Sequence, residues 1–242
     1  MRLTLIQQFM ADLPASRVTA ARPFSTTGVD YFGPVYVRPG YRRTAVKTYV
    51  SVFDCFMMKA THLVLVTDLP TARFIQALRR FTSRRGKCIT LWSDNGSNFV
   101  GAKNQMRELL KILNTKEHHQ KVAKECADNG MQWMFIPPGA PHFGGLWKAA
   151  VRSAKKHLLK VLAPVSYEDM TTLVTQVECC LNSWPLTQLS DDPDDLRPLP
   201  PDHFLVGSAL QSIPSADYTD SAHGRLKTWE AVQKRLQDFW RR

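Results

Sequence analysis

The spacing of three strand-like runs between Thr27 and Val66 constrains this chain most. The runs "TGVDYFGPVYV", "AVKTYVSVFDCF" and "THLVLV" are rich in β-branched and aromatic residues, and only "RPGYRR" and "MMKA" separate them. Parallel neighbours need crossovers of a dozen residues or more, so links this short predict an antiparallel meander. The run "TARFIQALRRFTSRRG" then repeats apolar residues at helical spacing and stops at Gly86, a natural C-cap. "CITLW" has the unbroken apolar character of a strand buried on both faces. Helical patterns follow at about 100–114 and 117–128, then a short strand in "MQWMFIP" and a rigid loop, "PPGAPHFGG". A helix enters through Gly144 and Gly145, and a final one spans about 167–183, ending at Trp184-Pro185. A meander followed by alternating helices and strands predicts a mixed α/β sheet with helices on both faces.

Charge narrows the partners. Thirty-two Lys and Arg against 21 Asp and Glu leave a formal net charge of +11 over 242 residues, which favours a polyanion through counterion release and steering. The five cysteines are odd in number and show no CxxC spacing, and the His118-His119 pair sits in a polar stretch, so no structural zinc is expected. No run approaches the roughly 20 apolar residues of a bilayer span, and "MRLTLIQQFMADLPASR" lacks the apolar core and cleavage site of a secretory signal. The expectation is an intracellular protein without a membrane partner.

Two aspartates stand out by placement. Asp30 lies mid-strand in "TTGVDYFGP", where a carboxylate is costly unless it is paired or binds a metal. Asp94 stands just beyond "CITLW", at the strand end and turn where open α/β sheets place their sites, although "SDNG" is also a turn signal in its own right. Two adjacent strands would bring these carboxylates together, and like charges that close repel unless a cation sits between them. The helix after Gly145 should turn Trp147, Val151, Ala154, Leu158 and Val161 or Leu162 inward, leaving Arg152, Lys155, Lys156 and Lys160 outward. Those cations suit either a phosphate backbone or a solvated face. The cluster Arg79, Arg80, Arg84 and Arg85 suits either DNA or the dipole of its own helix end.

The segments "TTGVDYFGPV", "LWSDNGSNFVGA", "FIPPGAPHFGGLWKAAVRSAKKHL" and "LNSWPLT", in this order, resemble the integrase catalytic core of retroviruses and LTR retrotransposons, most closely the Pao/BEL group. The resemblance covers about 24–207. It implies an RNase H-like five-stranded mixed sheet with helices on both faces, in which two aspartates and a glutamate hold two Mg²⁺ (or Mn²⁺) ions for in-line phosphoryl transfer to DNA. Asp30 and Asp94 match the first two ligands. Asn95, Asn98 and His142 fall where DNA or active-site contacts are expected, and Arg152, Lys155, Lys156 and Lys160 on the helix that runs beside the DNA end.

The position of the family's glutamate is Lys148. A charged ammonium has no lone pair for a hard cation, and it would neutralise the aspartates instead. Asp128 and Glu168 lie on other predicted elements, so strand transfer should be lost or severely reduced. The family's His-His-Cys-Cys zinc module is also missing, since neither His nor Cys precedes Cys55. The expected organisation is a lead segment (1–23), the core (24–185), a Pro/Asp/Ser-rich connector (186–224) and the start of a following domain (225–242), as in a piece or remnant of a polyprotein. The expected function is DNA binding and DNA integration, impaired at Lys148 and exercised in the nucleus, with possible homo-oligomers. The alternative is a catalytically dead core that keeps DNA binding or self-association. A hydrolytic RNase H-like nuclease fits the motif order after "SDNG" less well.

Overall fold

The computed structural model describes residues 14–38, 44–69, 71–94, 130–136, 165–190, 197–210, 214–222 and 226–241. It also describes 144–145, 147–149, 151–152, 154–155 and a few single positions. The elements are α1 (Ala15–Val18), β1 (Thr26–Arg38), β2 (Val46–Cys55), β3 (Thr61–Val66), α2 (Thr71–Arg85), β4 (Thr90–Ser93) and β5 (Gln132–Phe135). They are followed by β6 (Val165–Ser166), α3 (Tyr167–Asn182), β7 (Thr187–Gln188), β8 (Pro198–Leu199), α4 (Asp202–Val206) and α5 (Thr228–Trp240). The helical patterns at 100–114 and 117–128 lie outside the described residues.

The predicted meander forms: β1 pairs antiparallel with β2, and β2 with β3. β4 then runs parallel to β1, and β5 parallel to β4. The sheet order is β3-β2-β1-β4-β5, with two-residue β6 pairing the far end of β1. This is the mixed five-stranded sheet of an α/β fold. The β1–β2 register shifts between Phe32 and Val35, where Gly33 takes φ +146 and Pro34 offers no N–H to the ladder.

The two faces of the sheet have separate cores, because strand side chains alternate. Phe32, Val50, Val52, Leu63 and Leu65 pack with Val151 and Ala154, with Met170, Leu173, Val174 and Val177 of α3, and with Val232, Leu236 and Phe239 of α5. Val29, Phe53, Val64, Leu91 and Trp133 pack on the other face against Phe74, Ala77, Leu78 and Phe81 of α2. α2 ends as its sequence predicts: Gly86 takes φ +82 and its N–H bonds Thr82 O at 2.9 Å. Arg22 donates to the terminal carbonyls of Arg85 and Lys87.

α3 covers the outer edge of β3. Its Glu178 accepts from Leu63 N–H at 2.8 Å, and its Asn182 both accepts from Thr61 N–H at 2.7 Å and donates to Thr61 O at 2.8 Å. Glu178 also meets His62 Nδ1 at 3.0 Å and Arg85 at 2.5 Å. Residues four apart on one helix face thus satisfy alternate backbone groups of an edge strand. α3 starts with Ser166 accepting from Asp169 N–H at 3.0 Å, an ordinary N-cap.

Within 186–224, Thr187–Gln188 pairs with Pro198–Leu199, and α4 ends at Gly207 with φ +83. In α5, Val232, Leu236 and Phe239 are buried, whereas Trp229 and Trp240 are 57% and 53% exposed. No described helix is long and apolar enough to cross a membrane. Cys55, Cys88, Cys179 and Cys180 are free thiols.

Candidate nucleic-acid and phosphoryl-transfer site

The parallel register of β1 and β4 builds the site. Gly28 pairs with Trp92 and Val29 with Ser93, so one further step sets Asp30 beside Asp94. Asp30 thus lies on β1 next to the strand end that Asp94 follows, and both residues are half-buried.

A stack of rings brings in the helix that carries Lys148. Trp147 lies 5.4 Å from Phe56 at 14°, and Phe56 lies 6.4 Å from Trp92 at 24°. A Cβ at Gly28 would stand 2.7 Å from Trp147, so only glycine admits the indole at this point of β1. Gly28 and Asp30 share a face of the sheet, and Trp147 seats its helix there. Lys148 then folds back over Gly144, whose added Cβ would stand 3.0 Å from Lys148 Cε. The first of the two glycines thus makes room for the lysine stem, while Gly145 faces open space.

Electrostatics records the grouping. Burial drives the Asp30 carboxyl above its ordinary range, the Tyr31 N–H at 2.8 Å opposes this, Asp94 raises it further, and Lys148 and Lys155 pull it down. Asp94 and Lys148 thus both bear on Asp30. Lys155, seven residues on from Lys148, is close enough for its charge to be felt at Asp30. Arg152 is exposed. Asn95, Asn98, His142, Lys156 and Lys160 lie outside the described residues.

Two carboxylates with a lysine at the third position are a poor donor set for the pair of Mg²⁺ ions that the resemblance implies, because hard cations take oxygen ligands. Among the described residues, no group of three or more His, Cys, Asp or Glu stands together as a metal cage. Glu168, the nearest acid C-terminal to Lys148 in sequence, is exposed in the first turn of α3.

Sequence reading missed Phe56, the middle ring of the stack, because its partners lie on β4 and on a helix far along the chain. Its position just after β2, opposite an apolar meander link, was the available signal. In the second basic cluster, Arg80 donates to Leu65 O at 3.3 Å and Arg85 pairs with Glu178, so both serve the fold.

No protein-family model matches the chain, and no curated protein matches it. Among solved structures it is similar to a simian T-cell lymphotropic virus intasome in complex with PP2A regulatory subunit B56 gamma. That match has a TM-score of 0.48 and 13% identity, covering 81% of this chain and 59% of that one. The chain thus spans 59% of the intasome chain's length. It is also similar to the HTLV-2 integrase catalytic core domain in complex with magnesium, in its dimeric form. Here the TM-score is 0.42 with 15% identity, covering 71% of this chain and 93% of that one.

Proposed function

We propose that this chain is an integrase-type core, of the Pao/BEL kind by its motifs, that binds DNA and whose phosphoryl-transfer activity is lost or severely reduced. The observation that supports the reading is the parallel register of β1 and β4, which brings Asp30 level with the residue after Ser93, with Lys148 close enough to pull the Asp30 carboxyl down. Arg152 and Lys155 on the same helix supply phosphate contacts, and the net charge of +11 supplies the long-range attraction. Such a core would act in the nucleus, and self-association is compatible with it.

Strand transfer and nicking on a DNA end, with Mg²⁺ or Mn²⁺, test the proposal in the natural protein, Lys148→Glu and Lys148→Glu/Asp94→Asn. Activity in Lys148→Glu alone is the expected outcome. Robust activity of the natural protein that Asp94→Asn removes sinks the impairment. Binding without salt dependence, or no binding, sinks the DNA reading. A core that binds DNA yet stays inactive even as Lys148→Glu favours the second reading, a remnant kept for DNA binding or self-association.

A further inference from the structure

A cavity of about 530 Å³ lies between α3, α5 and residues 214–218, and Asp30, Asp94 and Lys148 are not among its lining residues. None of its described lining residues carries a charge, in a chain whose formal net charge is +11. Its walls are fixed. Gln237 of α5 accepts from Tyr218 N–H at 2.9 Å and donates to Ala216 O at 2.7 Å, which ties the 214–218 segment down. Trp229 and Trp240, eleven residues apart and so on one face of α5, present their exposed rings beside it.

Two side chains in the lining have unmet demands. Gln176 Oε1 and Gln233 Nε2 are shut off from solvent without a hydrogen-bond partner, and Gln233 is only 4% exposed. An unmet buried amide atom costs about 1–3 kcal/mol, which an occupant offering an N–H to Gln176 and a carbonyl to Gln233 would offset. The volume falls within the range of small-molecule sites, which combine apolar walls with a few placed polar groups. We propose that this cavity binds a neutral, mostly apolar small molecule carrying an amide-like donor and acceptor. The described lining residues offer no cation to a phosphate, so the proposal does not rest on the DNA reading.

Acetanilide, a neutral aromatic amide, and phenylacetone, which keeps the ring and carbonyl but lacks the N–H, are the probes. Both are titrated into the full chain, followed by saturation-transfer NMR and tryptophan fluorescence. Acetanilide should saturate, and phenylacetone should bind about tenfold more weakly, the worth of one hydrogen bond. Gln176→Leu, which removes the unmet acceptor, should erase that preference, and Cys179→Trp, which fills the cavity from α3, should abolish binding of both while the thermal transition persists. No saturation by acetanilide, equal affinity for the two probes, or unchanged binding in Cys179→Trp overturns the proposal.

Discussion

Glu178 and Asp54 are both buried carboxylates beside β3, and their surroundings drive them in opposite directions. Burial raises both, but at Glu178 the hydrogen bond and charge of His62, the Leu63 N–H and Arg85 outweigh it and hold the carboxyl below its usual range. Asp54 has only the Thr61 hydroxyl at 3.2 Å and the more distant charges of Lys59 and Arg17, so burial wins and its carboxyl is pushed up to about 7. What decides a buried acid's state is the number of donors aimed at it. Asp30 lies between these extremes: burial and Asp94 raise it, while Tyr31 N–H, Lys148 and Lys155 oppose them. Lys148 and Lys155 supply at Asp30 the kind of countercharge that His62 and Arg85 supply at Glu178, but burial still wins and the Asp30 carboxyl stays raised, as at Asp54.

The largest expected effect comes from reversing one of these countercharges. Lys148→Glu should raise strand transfer by about a hundredfold or more over the natural protein, since restored metal ligation is worth several kcal/mol in the transition state. Glu178→Ala should cost about 3–5 kcal/mol in urea unfolding, because Arg85 and His62 lose their buried partner. If the loss is under 1 kcal/mol, the clasp is not what holds α3 to the sheet.

The pH dependences of the two acids have opposite signs. Between pH about 4 and 7 the folded chain holds a proton on Asp54 that the unfolded chain releases, so this residue makes stability fall as pH rises through that window. Asp54→Asn should remove the slope and gain up to about 4 kcal/mol at pH 8, as read from denaturant midpoints at pH 5 and pH 8. Glu178 works the other way: its contribution is full above the ordinary carboxyl range and is lost as pH falls through its lowered value.

Gly28→Ala should cost about 1–3 kcal/mol through overpacking against Trp147. It would also shift Lys148 relative to Asp30, which the titration of Asp30 followed by NMR would register. The smallest effect is expected at Arg152→Ala, where the log–log salt slope of DNA affinity should flatten by about 0.9 for the one phosphate contact removed. An unchanged slope makes Arg152 part of a solvated face.

The meander, the strand end at Asp94 and the helix stop at Gly86 were legible because each is a local pattern: link length, an apolar run, a glycine at a cap. The pairing of Asp30 with Asp94 was legible because the sheet order follows from those elements. Glu178, Asn182 and Asp54 were not, since nothing in their local sequence names a partner 115 or 121 residues away, nor the lack of one.

The clasp on β3 has a consequence for how the chain is made. All six residues of β3 are buried in the finished fold, yet Thr61 and Leu63 acquire their outer partners only from residues 182 and 178. On the ribosome, the first three strands emerge with an apolar, hydrogen-bonding edge open for more than a hundred residues of further synthesis. The early chain is therefore exposed to strand addition by another nascent copy until α3 arrives.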